Sequence, residues 1–217
     1  MVAVAWPRRI LHEALRYAKF GWPVAPGARA LGPARRWQWL LNPDAPVPPV
    51  RCECGPNCSM PAAHPTGPGV TSAAEIRAIW DVAEPPNIVL ACGVGFDVIR
   101  VGGQVAAETE KILAAWRVAP AIALTATAVV QRLLFVASGE PVELPAGADY
   151  LGRGDWVPAP PSSRGPAGED RWFWSYETRW RTLPSAAEVA PAVWLADREV
   201  RRFRDGLFPR GSGSLRA

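Results

Sequence analysis

Apolar positions recur along this chain with two different periods, and the period changes mark the elements. Over residues 8–20, Ile10, Leu11, Ala14, Leu15 and Ala18 fall on one helical face, the spacing of an amphipathic helix. Gly21 ends it, and WPVAP at 22–26 reads as a short extended segment. A helical turn is expected around 37–41. The proline-rich NPDAPVPPV that follows reads as an extended linker. In TSAAEIRAIW, Ser72 and Glu75 have capping-box spacing, Ile76, Ile79 and Trp80 form the buried face, and Pro85 and Pro86 close the helix.

The pattern then tightens. NIVLAC (87–92) and GFDVIRV (95–101) read as two strands of a hairpin across Gly93, Val94 and Gly95. Residues 104–117 form an amphipathic helix anchored by Val105, Ile112, Leu113 and Trp116. AIALTAT (121–127) and QRLLFVA (131–137) are a second strand pair, and GDWVPAPP (154–161) is a last short strand. In RWFWSYETRW, Trp172, Trp174 and Tyr176 share a period-two face. That face suits covering the core, although arginines beside stacking aromatics also suit nucleic acid. Residues 185–204 read as one or two short helices. The tail 206–217 lacks the apolar content for order. The expected division is a domain over 1–165, an aromatic and basic extension over 166–205 packing on it, and a disordered tail.

Composition narrows the class. The 217 residues are 49% hydrophobic, enough for a sizeable core, and carry a formal charge of +4. Lys19 and Lys111 are the only lysines; arginine, alanine, proline and glycine usage matches a GC-rich bacterial genome, so arginine bias alone says little. The N-terminal stretch lacks the order of a signal peptide. The longest apolar run, 119–130, reads as a buried strand region rather than a membrane helix. A cytoplasmic protein with no membrane partner is expected.

Candidate chemistry concentrates at 50–66. Cys52, Cys54, Cys58 and His64 bring together three of the four cysteines and one of the two histidines. Three thiols and an imidazole suit a tetrahedral zinc ion, and four protein ligands close the site, making it structural rather than catalytic. The competing reading is a group of exposed thiols beside an incidental histidine. Cys92 on its apolar strand reads as a small buried hydrophobe. His12 reads as a surface or partly buried structural histidine. Arg35, Arg36, Trp37 and Trp39 form a modest basic–aromatic patch best read as a solvated loop. GVG at 93–95 is a turn and not a phosphate loop, because no Gly-Lys-Ser/Thr helix follows.

Four segments in order carry a resemblance: ALRYAKFGWPVAP, a cysteine loop ending in His64-Pro65, AAEIRAIW before NIVLACG, and DYLGRGDWVPAPPS at 149–162. Over roughly 8–165 the chain resembles the N-terminal domain of bifunctional DNA primase–polymerases, in the archaeo-eukaryotic primase superfamily. The resemblance implies an α/β (α+β) fold, a two-part module beside a zinc loop. It also implies template-directed nucleotidyl transfer by Mg²⁺ or Mn²⁺ held on clustered acids. At the positions matching the acidic pair this chain has Arg100 and Gly102. Asp97 is three residues away and faces oppositely on a regular strand. Arg132 stands at the position of the family's phosphate-contacting histidine, with Val129 and Val130 in place of glycines. Asp149 matches the third acid.

The resemblance therefore leads to a degenerate member whose remnant Asp149 pairs with Arg100, a fixed cation in place of a metal. Arg100, Arg132 and Arg153 are the candidate phosphate or nucleic-acid contacts. DNA, nucleotides and replication proteins are the implied partners, and with no helicase segment a replication role would require other proteins. Two alternatives remain at this point: an active polymerase using other acids, and a protein-interaction module without nucleic acid.

Overall fold

The structure, a computed structural model, describes residues 6–31, 51–55, 58, 64–125, 131–163, 172–175 and 182–207. The expected turn at 37–41, the proline-rich linker, the basic–aromatic patch at 35–39 and Tyr176 lie outside them, as does nearly all of the tail. Helix and sheet are mixed, an α+β arrangement. No helix among the described residues is long and apolar enough to cross a membrane.

Helix α1 (Trp6–Lys19) follows its apolar stripe. Ile10, Ala14 and Tyr17 are fully buried, and Leu11, Leu15 and Ala18 pack at the margin. It stops where Gly21 takes φ +76° and the amides of Phe20, Gly21 and Trp22 fold back onto the carbonyls of Tyr17 and Ala18. Strand β1 (Val24–Gly27) follows, then the short antiparallel pair β2 (Ala30–Leu31) and β3 (Arg51–Cys52).

Helix α2 (Ala73–Trp80) buries Ile76 and Trp80 as expected. Its capping box does not form. Ser72 makes no side-chain cap bond and supplies only its carbonyl, to the amide of Ile76 at 3.0 Å.

The hairpin expected at 87–101 is not formed either. Strand β4 (Asn87–Ala91) pairs with β1 and with β9 (Trp156–Pro158) in a three-stranded antiparallel sheet. Strand β5 (Asp97–Gly102) belongs to a different, five-stranded antiparallel sheet. Its order is β10 (Trp172–Ser175), β6 (Ala121–Thr125), β7 (Gln131–Val136), β5, β8 (Ala148–Leu151). The turn glycines are real, with φ +85° at Gly93 and +81° at Gly95, but they carry the chain from one sheet to the other. The reason lies in the core. Phe96 is fully buried, its ring 4.6 Å from Trp22 and 5.1 Å from Phe135, so β4 and β5 diverge to hold an aromatic wedge.

The return crossing runs beside the first. The strand expected at 154–161 is β9 on the small sheet, three residues long; β8, on the edge of the large sheet, was not expected and leads into it through Gly152 and Gly154. The two crossings touch. The Cys92 amide donates to the Asp155 carbonyl at 3.0 Å, and a Cβ on Gly93 would sit 2.5 Å from the Cα of Arg153.

Alternation along β5 sorts its side chains. Val98 faces a core shared with α1, Trp22, Ile88, Leu90 and Val157, which fills the space between the sheets. Ile99 and Val101 face the opposite side. There α3 (Gly103–Trp116) and α4 (Ala186–Leu207) cover the large sheet with Ala106, Leu113, Val189 and Val193. The region expected as one or two short helices is one continuous helix, opened by a working capping box. The Ser185 amide donates to a Glu188 carboxylate oxygen at 2.8 Å, and the Glu188 amide returns a bond to the Ser185 hydroxyl at 3.3 Å. In β10, Trp172 is buried and Trp174 donates to the Tyr17 hydroxyl at 3.0 Å, while Phe173 faces out, the core-covering arrangement of a period-two face.

Candidate functional site

The cysteine loop hangs on β1 through backbone bonds. The Ala28 amide donates to the His64 carbonyl at 3.0 Å, and the Thr66 amide to the Pro26 carbonyl at 2.8 Å. Asn87, nearly buried, braces the same turn, donating to Ala28 and Ser163 carbonyls at 3.0 and 2.8 Å. Pairing of Ala30 with Cys52 sets the first ligand. The Gly55 amide, bonded back to the Cys52 carbonyl at 3.0 Å, makes the turn toward Cys58.

These constraints converge. One ligand atom from each of Cys52, Cys54, Cys58 and His64 lies within 4.8 Å of the others. Ligands at about 2.3 Å in a tetrahedron stand about 3.8 Å apart, so the set fits a metal with little adjustment. His64 is oriented for it. Its Nδ1 is 3.1 Å from the Pro65 carbonyl, which only a protonated nitrogen can satisfy, and its Nε2 points inward, 3.3 Å from the Cys52 sulfur. The Cys54 thiol is pushed up to about 12 by hydrogen bonds to Cys52 and Cys58. Three thiolates cannot crowd together without a cation, which is the electrostatic condition a divalent metal relieves.

The other candidate positions lie on β5 and its neighbours. Arg100 stands directly opposite Asp149 across the β5–β8 pair. Its Nε and Nη2 both donate to Asp149 Oδ2, at 3.0 and 2.8 Å. The expected ion pair is present. Gly102, next on the same face, has nothing within 4 Å of where a Cβ would stand.

Asp97 is on the opposite side, as alternation requires. It is 2% exposed, and its Oδ2 accepts from the Tyr150 hydroxyl at 2.6 Å and the Gly139 amide at 3.0 Å. Burial and this hydrogen bond push the Tyr150 phenol well up. Asp97 is a structural tie between β5, β8 and the 139 turn.

Arg132 is not brought to Arg100. It pairs in register with Val101, so it lies on the helix-covered face, where Glu110 of α3 holds it in a largely buried ion pair. Glu110 also accepts from the Ser175 hydroxyl at 2.8 Å. Nothing local in the sequence marks Glu110 as this partner, because the contact depends on how α3 crosses the sheet. Arg153 is exposed at the crossing and makes no ion pair among the described residues. Cys92 is buried, its thiol pushed up by desolvation; His12 is an exposed surface residue beside Glu13.

The profile of the bifunctional DNA primase/polymerase N-terminal family matches residues 14–191, well over half the chain. The chain belongs to that family. A search of curated proteins returned no match. Membership supports contact with nucleic acid and nucleotides, and it sets the pairing of Arg100 with Asp149 in context. A primase/polymerase centre needs acids that hold divalent ions, and here Arg100 donates twice to one oxygen of Asp149.

Proposed function

We propose that this primase/polymerase family member binds DNA without carrying out metal-dependent nucleotidyl transfer, acting as an accessory to replication. The Arg100–Asp149 ion pair carries the reading. A guanidinium fixed 2.8 Å from Asp149 occupies the space and supplies the charge that a Mg²⁺ or Mn²⁺ ion would, and Gly102 offers no ligand. The residues do not fit a two-metal centre.

Zinc is the metal proposed for Cys52, Cys54, Cys58 and His64, because a closed set of three thiolates and one imidazole favours it. It would cross-link a loop with little core of its own and supply no reactive position. Arg153, exposed at the junction of the sheets, is the proposed phosphate contact. Arg132 is already neutralised by Glu110.

Fluorescence anisotropy with a labelled single-stranded oligonucleotide tests this. Binding should weaken steeply between about 50 and about 200 mM salt, since phosphate contacts release counterions. It should be indifferent to Mg²⁺ and reduced by Arg153→Ala. Absence of binding at low salt would transfer the protein to the class of protein-interaction modules.

A further inference from the structure

The ligand thiols are not equally covered. Cys54 is exposed and Cys58 half-buried, whereas Cys52 is only 3% exposed. Cys52 is also held in place: its backbone pairs with Ala30 and accepts the Gly55 amide, and its sulfur sits 3.3 Å from His64 Nε2. The Cys54 and Cys58 sulfurs lie within 4.8 Å of each other, with only Gly55, Pro56 and Asn57 between them in sequence. Two neighbouring thiols reachable from solvent therefore stand beside a third that is not.

The geometry points to Cys54 and Cys58 as an oxidation site, at which hydrogen peroxide joins the two sulfurs in a disulfide and dismantles the four-ligand set. The bond itself follows from the placement of the thiols. Its consequence for a metal rests on the zinc reading above.

The step balances. The Cys54 sulfur attacks one peroxide oxygen, the O–O bond breaks and hydroxide leaves, giving a sulfenic acid. The Cys58 sulfur then attacks the Cys54 sulfur, the S–O bond breaks and a second hydroxide leaves. Two electrons pass from the sulfur pair to the peroxide. Both hydroxides end as water, with the protons of the thiols or, where a metal has displaced those, with protons from solvent. Cys54 takes the first step because it is the thiol that peroxide reaches. Cys58 takes the second because Cys52 is covered.

The bridged pair leaves Cys52 and His64, two ligands where a closed site has four. The loop then loses its cross-link but keeps its attachment to β1, since the bonds from Ala28 to the His64 carbonyl and from Thr66 to Pro26 are backbone bonds that no metal makes. Reduction returns both thiols, so the order of the loop follows the oxidant.

Zinc content of the untreated full chain is read first. Hydrogen peroxide is then added with a chromogenic chelator present, and non-reducing peptide mass maps locate the bond. Cleavage after Arg51 and Glu53 puts Cys52 and the Cys54–Cys58 pair on separate peptides. Zinc should be released almost completely as the Cys54–Cys58 disulfide forms, Cys52 and Cys92 should stay reduced, and dithiothreitol with added zinc should restore loading. Cys92→Ser should behave as wild type. Cys58→His keeps four zinc-compatible ligands without the second thiol, and its release should be at least about tenfold slower; if it fails to load, the wild-type mass map still decides. Thiols left reduced under peroxide, a bond through Cys52 or Cys92, sulfinic acid at Cys54 without a bond, or zinc retained by the bridged chain would each overturn the assignment. A chain that holds no zinc before peroxide would refute the zinc reading instead, and the mass map would still judge the disulfide.

Discussion

Restoring the acids at β5 is the sharpest perturbation the geometry allows. In Arg100→Asp with Gly102→Asp, residue 100 remains directly opposite Asp149, with Cβ atoms about 5 Å apart. Position 102 accepts a side chain without collision, since its φ is −116° and the space around it is open. Both partners of the present pair are substantially exposed. At an effective dielectric constant between 20 and 80, two carboxylates at that distance repel by about 1–3 kcal/mol. Loss of the existing ion pair adds less than about 1 kcal/mol, as for exposed pairs generally. For a chain of this size that lowers the melting temperature by about 2–16 °C. Mn²⁺ at a hundred times its Kd would return about 2.7 kcal/mol, because it binds only the folded state. Thermal unfolding with and without MnCl₂ reads both effects, with wild type and Arg100→Ala as references. If the doubly acidic variant melts like wild type without metal, or gains no more from Mn²⁺ than wild type does, the three positions do not converge and the replacement argument fails.

Zinc content measured by plasma emission should be one per chain in wild type and near zero in Cys54→Ser and His64→Ala, with both variants less stable. Ligand thiols must lose protons to bind, so the metal-free chain holds more protons than the loaded one. Loading therefore strengthens as pH rises and is lost as pH falls, which a zinc-release titration with a chromogenic chelator follows. The tetrapeptide SAAE occurs twice, and denaturant unfolding should separate the copies: Ser185→Ala costs about 1 kcal/mol, Ser72→Ala much less. Gly93→Ala should cost more than about 2 kcal/mol, from a left-handed φ and a collision with Arg153. Gly102→Ala should cost less than about 1 kcal/mol by the same measurement.

Where period and burial coincide, the sequence was readable. The α1 stripe, the β6–β7 pair and the buried face of α2 follow from spacing alone, since each buries one apolar face on its neighbours. The convergence of Cys52, Cys54, Cys58 and His64 was readable because a small loop rich in thiols has few other ways to order. The Arg100–Asp149 pair was reached through family resemblance, 49 residues apart, and not from any local pattern. What escaped depends on tertiary choice. Two glycines mark a turn between β4 and β5 whether the strands pair or part, and only the burial of Phe96 between Trp22 and Phe135 decides that they part. Ser72 and Ser185 precede the same residues, yet only Ser185 and Glu188 close a box. Arg132 and Arg100 looked equally available, and the strand register put them on opposite faces.

Template-directed incorporation of labelled dNTPs, in Mg²⁺ and in Mn²⁺, tests the central claim most directly. Wild type and Asp149→Ala should be alike, with no extension of a primed or unprimed template under either metal. Extension by wild type that disappears in Asp149→Ala would show that Asp149 holds a catalytic metal despite Arg100, and would contradict the account.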